Sequence, residues 1–355
     1  MAGRKEPEWP QSEWRQVLVF RALQVGDMLC AVPALQALRA ALPAAHIALI
    51  GLPWAVQFAQ RFAALVDEFI AFPGHPQLPE PAADPHGWPD FRRRLCERRA
   101  DLAIQLQGSG ELSNGIVREF GARTTVGYTR DTDADRPGFF PYPQHGHESA
   151  RLLALMAALG FSTHGCGLAF PLQAADEAAL RATGLPQQLQ GRPYVCIHAG
   201  ARDPARRWPP EAFAAVADSL AATFDLQIVL TGTADERGLA AQLAGAMWHA
   251  PIIAAQSWPI GAMAACIDGA QLLVCNDSGA SHLAAALQVP SVVVFRQDTR
   301  ARWAPPDRRL HRCVLDTDGR RIAEVIAAAR SQMRRAVRSA RQPSARDSTE
   351  DRYTF

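Results

Sequence analysis

The run Leu273-Val-Cys-Asn-Asp-Ser-Gly-Ala-Ser-His-Leu-Ala-Ala-Ala286 decides how this chain is read. It opens as an apolar strand, breaks at the polar turn Asn276-Asp277-Ser278-Gly279, and continues as a small-residue helix carrying His282. A second apolar strand, Val292-Val-Val-Phe295, follows shortly after. A strand that stops at a Ser-Gly turn and opens a helix presents free backbone N–H groups and the positive end of a helix dipole. Together these bind phosphate. The ligand is therefore expected to be a nucleotide or another phosphorylated molecule.

Outward from this stretch the same alternation recurs. In the C-terminal half, strands are expected at 194–198, 227–230, 252–255, 272–275 and 291–295, with helices near 210–223, 234–246, 260–267 and 280–287. In the N-terminal half, strands are expected at 17–20, 46–50, 68–71, 102–105 and 124–127. A helix runs from about 28 to 42, and another from 147 to 159 ends at Gly160, a good C-cap. Strands alternating with helices of this length argue parallel sheets built from βαβ units. The organisation read from this is an α/β protein of two Rossmann-like halves, 14–172 and 190–330, with Gln/Pro/Gly-rich text between them. A helix end and a disordered tail complete the chain at 331–355. Six prolines between Pro73 and Pro89 read as a surface loop.

A length of 355 residues suits two domains, and 48% hydrophobic residues supply ample core. A net charge of +2 gives no argument for nucleic acid. Lys5 is the only lysine, so the basic side chains are almost all arginine. Seven scattered cysteines with no C-x-x-C pair suit a reducing cytoplasm and argue against structural zinc. The N-terminus lacks the apolar core of a signal peptide, and no run approaches the ~20 apolar residues that span a bilayer.

Several residues sit where chemistry is expected. Asp27, in Val25-Gly26-Asp27, closes the loop after the first strand. It is either a general base beyond a strand's carboxyl end or simply a helix-capping carboxylate. Gly200 ends the first strand of the second half. Behind it Arg202, Arg206 and Arg207 are suited to holding a diphosphate, or form a solvated basic loop. Glu236 opens a helix after Thr231-Gly-Thr-Ala-Asp-Glu236, where it is a first-turn carboxylate or an acceptor for ribose hydroxyls. His282, taken alone, reads as a satisfied core histidine. Arg330, Arg334, Arg338 and Arg341 share one helical face, a solvated end or a surface for anionic lipid.

Taken together, four separated segments resemble glycosyltransferase family 9, the ADP-heptose:lipopolysaccharide heptosyltransferases. They are Gly26-Asp27 with Pro33-Ala34-Leu35; Gly200 with Arg206-Arg207-Trp208-Pro209; Gly232 with Asp235-Glu236; and Asn276-Asp277-Ser278-Gly279 with His282-Leu283-Ala284-Ala285-Ala286. The resemblance implies a GT-B fold, with two Rossmann-like domains facing across a cleft. It also implies inverting transfer of a heptose from ADP-heptose to a lipopolysaccharide core sugar, with no metal or other cofactor required. By position it makes Asp27 the catalytic base, puts Arg206 where the family usually has a lysine on the donor phosphate, and sets Glu236 at the ribose. Asp277, Ser278, Gly279 and His282 fall on the donor-binding turn and helix start, and Gly200 and Arg202 belong to the same donor surface. A cytoplasmic enzyme follows, with peripheral contact at the inner membrane as a further expectation.

Three positions depart from the family pattern: Arg206 for lysine, Ser278 for the commoner threonine, and Arg296-Gln297-Asp298-Thr299 where Gly-Pro-Thr is usual. The last lies near the donor, so a different sugar nucleotide or a non-lipopolysaccharide acceptor is an alternative reading. A GT-B-shaped nucleotide-sugar epimerase is another, although no second acid/base carboxylate beyond Glu236 and Asp277 stands out. A nucleotide-binding descendant without activity is disfavoured by Asp27. For the acceptor, Arg130 and Arg136, with Arg118, Arg123 and Tyr128 nearby, suit a phosphorylated or carboxylated sugar, or form a plain surface loop.

Overall fold

Strand and helix alternate twice along the chain, and each round closes its own parallel sheet. The computed structural model describes residues 9, 11–78, 84, 87–130 and 137–341. The chain divides into two compact units, Met1–Leu168 and Ala169–Phe355.

The first unit holds β1 (Gln16–Phe20), α1 (Val25–Ala41), β2 (His46–Gly51), α2 (Val56–Arg61), β3 (Glu68–Ala71) and α3 (Gly87–Glu97). It continues with β4 (Leu102–Gln105), α4 (Ser113–Arg118), β5 (Thr124–Thr129), β6 (Phe139–Pro141) and α5 (Glu148–Ala158). The second unit begins with α6 (Ala174–Ala182) and α7 (Leu185–Leu189). Then come β7 (Tyr194–His198), α8 (Pro210–Phe224), β8 (Gln227–Gly232), α9 (Arg237–Ala246), β9 (Ile252–Ala255), α10 (Ile260–Asp268) and β10 (Leu273–Asn276). It ends with α11 (Gly279–Ala286), β11 (Ser291–Phe295), α12 (Arg300–Trp303), β12 (His311–Leu315) and α13 (Ile322–Arg341).

The two sheets repeat one topology. Strand order is β3-β2-β1-β4-β5-β6 in the first and, read in the same sense, β9-β8-β7-β10-β11-β12 in the second. Every pairing is parallel. This is the doubly wound Rossmann order, in which the chain returns to the sheet's middle and proceeds the other way. Helices cover both faces, so the central strands are apolar throughout rather than alternating. In β11 all five residues are buried, and in β1 only Gln16 is exposed. The first core gathers around Phe20, Ile50, Phe72, Phe91 and Phe120; the second around Val195, Ile197, Trp208, Phe213 and Val292.

The outer strands β6 and β12 were not expected. An edge strand needs no continuous apolar run: β6 is three residues ending in Pro141, and β12 places the exposed Arg312 between partly and fully buried neighbours. The text between the expected halves also folds further than its composition suggests. Gln173 and Asp176 form a reciprocal capping box that opens α6, and Pro186 occupies the first turn of α7. Pro89 falls inside the first turn of α3, so the proline-rich stretch is helical at its end. The tail beyond 341 and Arg136 lie outside the described residues. Among the described residues no helix is long and apolar enough to cross a membrane.

β12 also carries a titrating load. His311 is buried and its Nδ1 lies 2.9 Å from the Ser291 hydroxyl on β11. Burial pushes its imidazole down to about 4. In the unfolded chain the same ring titrates near ~6.5. As pH falls through that window the unfolded state takes up the proton first, so stability is full above it and declines within it. The variant His311→Asn is expected to lose less melting temperature than the parent between about pH 7 and about pH 5. An equal loss in both proteins would show that another group carries the acid sensitivity.

Candidate active site

Topology locates a site before side chains do. In open parallel sheets, ligands gather beyond the carboxyl ends of the strands where the strand order reverses. In the second unit that point lies between β7 and β10, whose register pairs His198 with Cys275 so that the strands end nearly level. The loops 199–208 and 277–279 leave from there.

Asn276, the wholly buried last residue of β10, ties the two loops together. Its side-chain oxygen accepts the Trp208 N–H at 2.9 Å and its amide donates to the Ala199 carbonyl at 2.7 Å. The buried Trp208 indole in turn donates to Asp316 Oδ2 at 2.7 Å. Burial raises the Asp316 pKa, but that indole and the Arg321 and Arg320 amides outweigh it and hold the carboxyl below its usual range. The basic loop is therefore anchored at its root. Arg207 donates to the Ala201 carbonyl at 2.8 Å, and Asp203 caps the short turn Pro204–Arg206. Arg206 Nη1 lies 3.8 Å from Asp277 Oδ2, its side chain 39% exposed while that of Asp277 is 5% exposed. One face of the guanidinium is thus steadied by a carboxylate and the other remains open to a ligand. Arg202 is exposed on the same loop.

Ser278 forms the N-cap of α11 with extended backbone, and its side chain makes no capping bond. Its Oγ is buried without a hydrogen-bond partner. A buried hydroxyl left unpaired carries a cost that a bound acceptor removes. Behind it, the first-turn amides of Gly279 and Ala280 have no acceptor within the helix. His282 is buried further along α11, its ring 5.9 Å from Trp303 in an edge-on contact, which fits the core-histidine reading. The divergent loop after β11 folds back onto this turn: Thr299 Oγ1 donates to Asp277 Oδ2 at 3.1 Å, and Arg296 donates to the Asp316 carbonyl at 2.9 Å.

Glu236 meets the capping reading directly. It closes a capping box with Thr233, accepting the Thr233 N–H at 2.9 Å. The cap presses the carboxylate against Gly200, where any Cβ would collide with it. A side chain at position 200 would displace that carboxylate from its cap. The carboxylate borders a recess lined by Ala199, Gly200, Leu230 and Thr231. His198, missed in the sequence, stands beside it, with Nε2 3.9 Å from Glu236 and Nδ1 3.2 Å from the Thr231 hydroxyl. Burial holds this imidazole below its usual pKa, against the opposing pull of Glu236. A roomier recess of about 510 Å³ is lined by Asp298, Arg300, Arg308, His311, Arg312 and Cys313, and none of the expected donor residues borders it.

In the first unit the corresponding reversal lies between β1 and β4, where Phe20 is level with Gln105. Asp27 stands in the first turn of α1, whose N-cap is Gln24, and its side chain is 28% exposed. Arg21, the residue directly after β1, is wholly buried beside it. Sequence reasoning overlooked Arg21; a charge immediately after four apolar strand residues was the available signal. Arg130 follows β5, exposed, 3.9 Å from Glu111 and 5.2 Å above the Tyr142 ring. Arg123 is engaged by Asp101 at 2.6 Å at the other end of β5.

Known proteins resemble this chain in sequence and in fold. The signature of glycosyltransferase family 9 (heptosyltransferase) matches residues 88–323. Lipopolysaccharide heptosyltransferase 1 of Pseudomonas aeruginosa is 29% identical over 217 residues, 59% of this chain and 58% of that protein. The chain thus matches little more than half of that relative's length. A family 9 glycosyltransferase structure from Veillonella parvula superposes with a TM-score of 0.73 at 19% identity, covering 90% of this chain and 98% of that one. An Escherichia coli heptosyltransferase solved with ADP gives 0.68 at 20% identity, covering 90% and 99%. At these identities the structures speak for the fold.

Proposed function

Because this chain belongs to glycosyltransferase family 9, we propose that it is an inverting transferase that moves a heptose from ADP-heptose to a lipopolysaccharide core sugar. The observation carrying the reading is the turn at the end of β10. There the Ser278 hydroxyl is buried without a hydrogen-bond partner at the start of α11, and Arg206 lies 3.8 Å from the adjoining Asp277. That set suits a diphosphate. The ADP bound to the Escherichia coli relative supports an adenine nucleotide.

In this mechanism the second unit holds the donor and the first supplies the base. Asp27 takes the proton of an acceptor hydroxyl as its oxygen attacks the anomeric carbon from the face opposite the nucleotide. The bond from that carbon to the diphosphate oxygen breaks, and ADP leaves with the electron pair. Charge develops on the leaving oxygen, where Arg206 and the amides at Ser278 and Gly279 are already oriented. No proton need reach the leaving group, so one carboxylate suffices, unlike the pair used in glycoside hydrolysis. Glu236, fixed by its cap, accepts from the ribose hydroxyls. Asp277 works through Arg206 rather than on the phosphate, since two anions in contact would repel.

A second reading keeps the chemistry and changes the sugar nucleotide. Its support is the loop Arg296-Gln297-Asp298-Thr299, which departs from the family pattern and is bonded to Asp277. A thermal-shift panel of ADP, UDP, GDP and their sugars separates the two, because a ligand that binds the native state raises its melting point. ADP and ADP-heptose are expected to raise it and the pyrimidine and guanine nucleotides to leave it unchanged. A shift with UDP or GDP but not ADP would overturn the heptose assignment.

A further inference from the structure

Arg21 is surrounded in a way that ordinary packing does not require. Its side chain has no exposure, yet it donates from Nε to the Asp27 carbonyl at 2.8 Å and from Nη1 to the Leu106 carbonyl. The remaining nitrogen, Nη2, is shared by two carboxylates: Glu148 Oε1 at 3.4 Å and Asp27 Oδ1 at 3.8 Å. The two differ in one respect. Glu148 is 2% exposed and Asp27 is 28% exposed, so only the second can meet a substrate. One buried cation thus faces two anions, and a hold on one is gained at the expense of the other.

We propose that Arg21 is a positioning residue for the Asp27 carboxylate and that Glu148 sets how firmly it is held, by competing for the same guanidinium nitrogen. The inference rests on Asp27 being the base. Arg21 grips the backbone of the first turn of α1 through the Asp27 carbonyl and the end of β4 through Leu106, so the carboxylate is aimed from a rigid point. Its single charge is shared between two carboxylates, so it holds neither anion as firmly as a lone Arg–Asp pair would. The titratable and charged groups on the elements packed here include Arg21 after β1, Asp27 and Cys30 on α1, Tyr128 on β5, and His147, Glu148 and Arg151 at the start of α5. Arg151 is committed to the Tyr142 hydroxyl and the Gly146 and Gln144 carbonyls. Cys30 and His147 approach each other within 4.8 Å.

The test is the pH profile of kcat/KM in Glu148→Gln, Asp27→Asn and the double variant Arg21→Gln with Glu148→Gln. Glutamine at 148 keeps an oxygen for Nη2 and removes the competing charge. Asp27 then has the cation to itself, its charged form is favoured, and the acidic limb moves to lower pH, by about half a unit or more. Arg21→Gln alone strands two carboxylates and is expected to fold poorly; the double variant removes both charges together and avoids that. In it kcat is expected to fall while KM for the sugar nucleotide stays unchanged, because the donor groups lie in the other unit. A structural role would lower the melting temperature and leave the profile where it was. An acidic limb in Glu148→Gln that superposes on the parent's, or moves to higher pH, overturns the proposal. If Asp27→Asn retains turnover, the base assignment itself fails, which is a separate result. If that variant is inactive and the Glu148→Gln profile is unmoved, only the role of Arg21 and Glu148 falls.

Discussion

Replacing Asp27 by asparagine is expected to lower heptosyl transfer by about 10²–10⁴-fold while ADP binds as before. The substitution keeps the side chain's shape and removes its capacity to take a proton. The fold should tolerate it, because Arg21 retains the Asp27 carbonyl, the Leu106 carbonyl and Glu148 as partners. The groups proposed to hold the nucleotide belong to β7–α11 and are untouched. Initial rates with saturating acceptor, alongside calorimetric titration with ADP, separate the two effects. Loss of both would mean the variant has disturbed the fold. Retention of more than about a tenth of the rate would remove Asp27 from the chemistry, since general-base assistance worth so little is below the ordinary range.

How much of this was legible in the sequence depends on the distance over which each signal acts. Strand and helix periodicity is local, and the central strands announced themselves because both faces of a parallel sheet are buried and their text is uninterrupted apolar. β12 did not, because an edge strand has a wet face and Arg312 sits on it. The turn between β10 and α11 was readable for the same reason as the strands: Asp277, Ser278 and Gly279 are consecutive, and a helix N-terminus needs no partner from elsewhere. Glu236 was readable only as an either-or. Cap and ribose ligand want the same carboxylate at the same point, and the structure shows the cap holding it against Gly200. His198 escaped because its partners Thr231 and Glu236 are 33 and 38 positions away. Arg21 escaped for a stronger version of that reason: its charge is balanced by Glu148, 127 residues on. Asp27 is a different case. It lies outside the matched span of residues 88–323, so its proposed role rests on the resemblance of Gly26-Asp27 to the family pattern and on its half-buried carboxylate beyond a strand end.

Arg206 carries the other large effect. Arg206→Ala is expected to cost about 10²–10³-fold in kcat, the usual consequence of removing one preorganised donor from a developing oxyanion. The side chain is 39% exposed, so little stability goes with it. Arg206→Lys tells charge from geometry. An ammonium keeps the positive point that the leaving diphosphate needs, but it lacks the fork that can engage two phosphate oxygens while Asp277 steadies it. Since lysine is the usual family residue here, the lysine variant is expected to retain most of the rate, and what it loses should appear in KM for the sugar nucleotide. A guanidinium that merely paired with Asp277 would behave otherwise: alanine would lower the melting temperature and change kcat and KM little. Single-turnover rates and thermal melts on the two variants therefore decide between a leaving-group contact and a local ion pair. The unpartnered Ser278 hydroxyl favours the first, because a turn that served only to balance Arg206 would have no reason to keep a buried donor waiting for an acceptor.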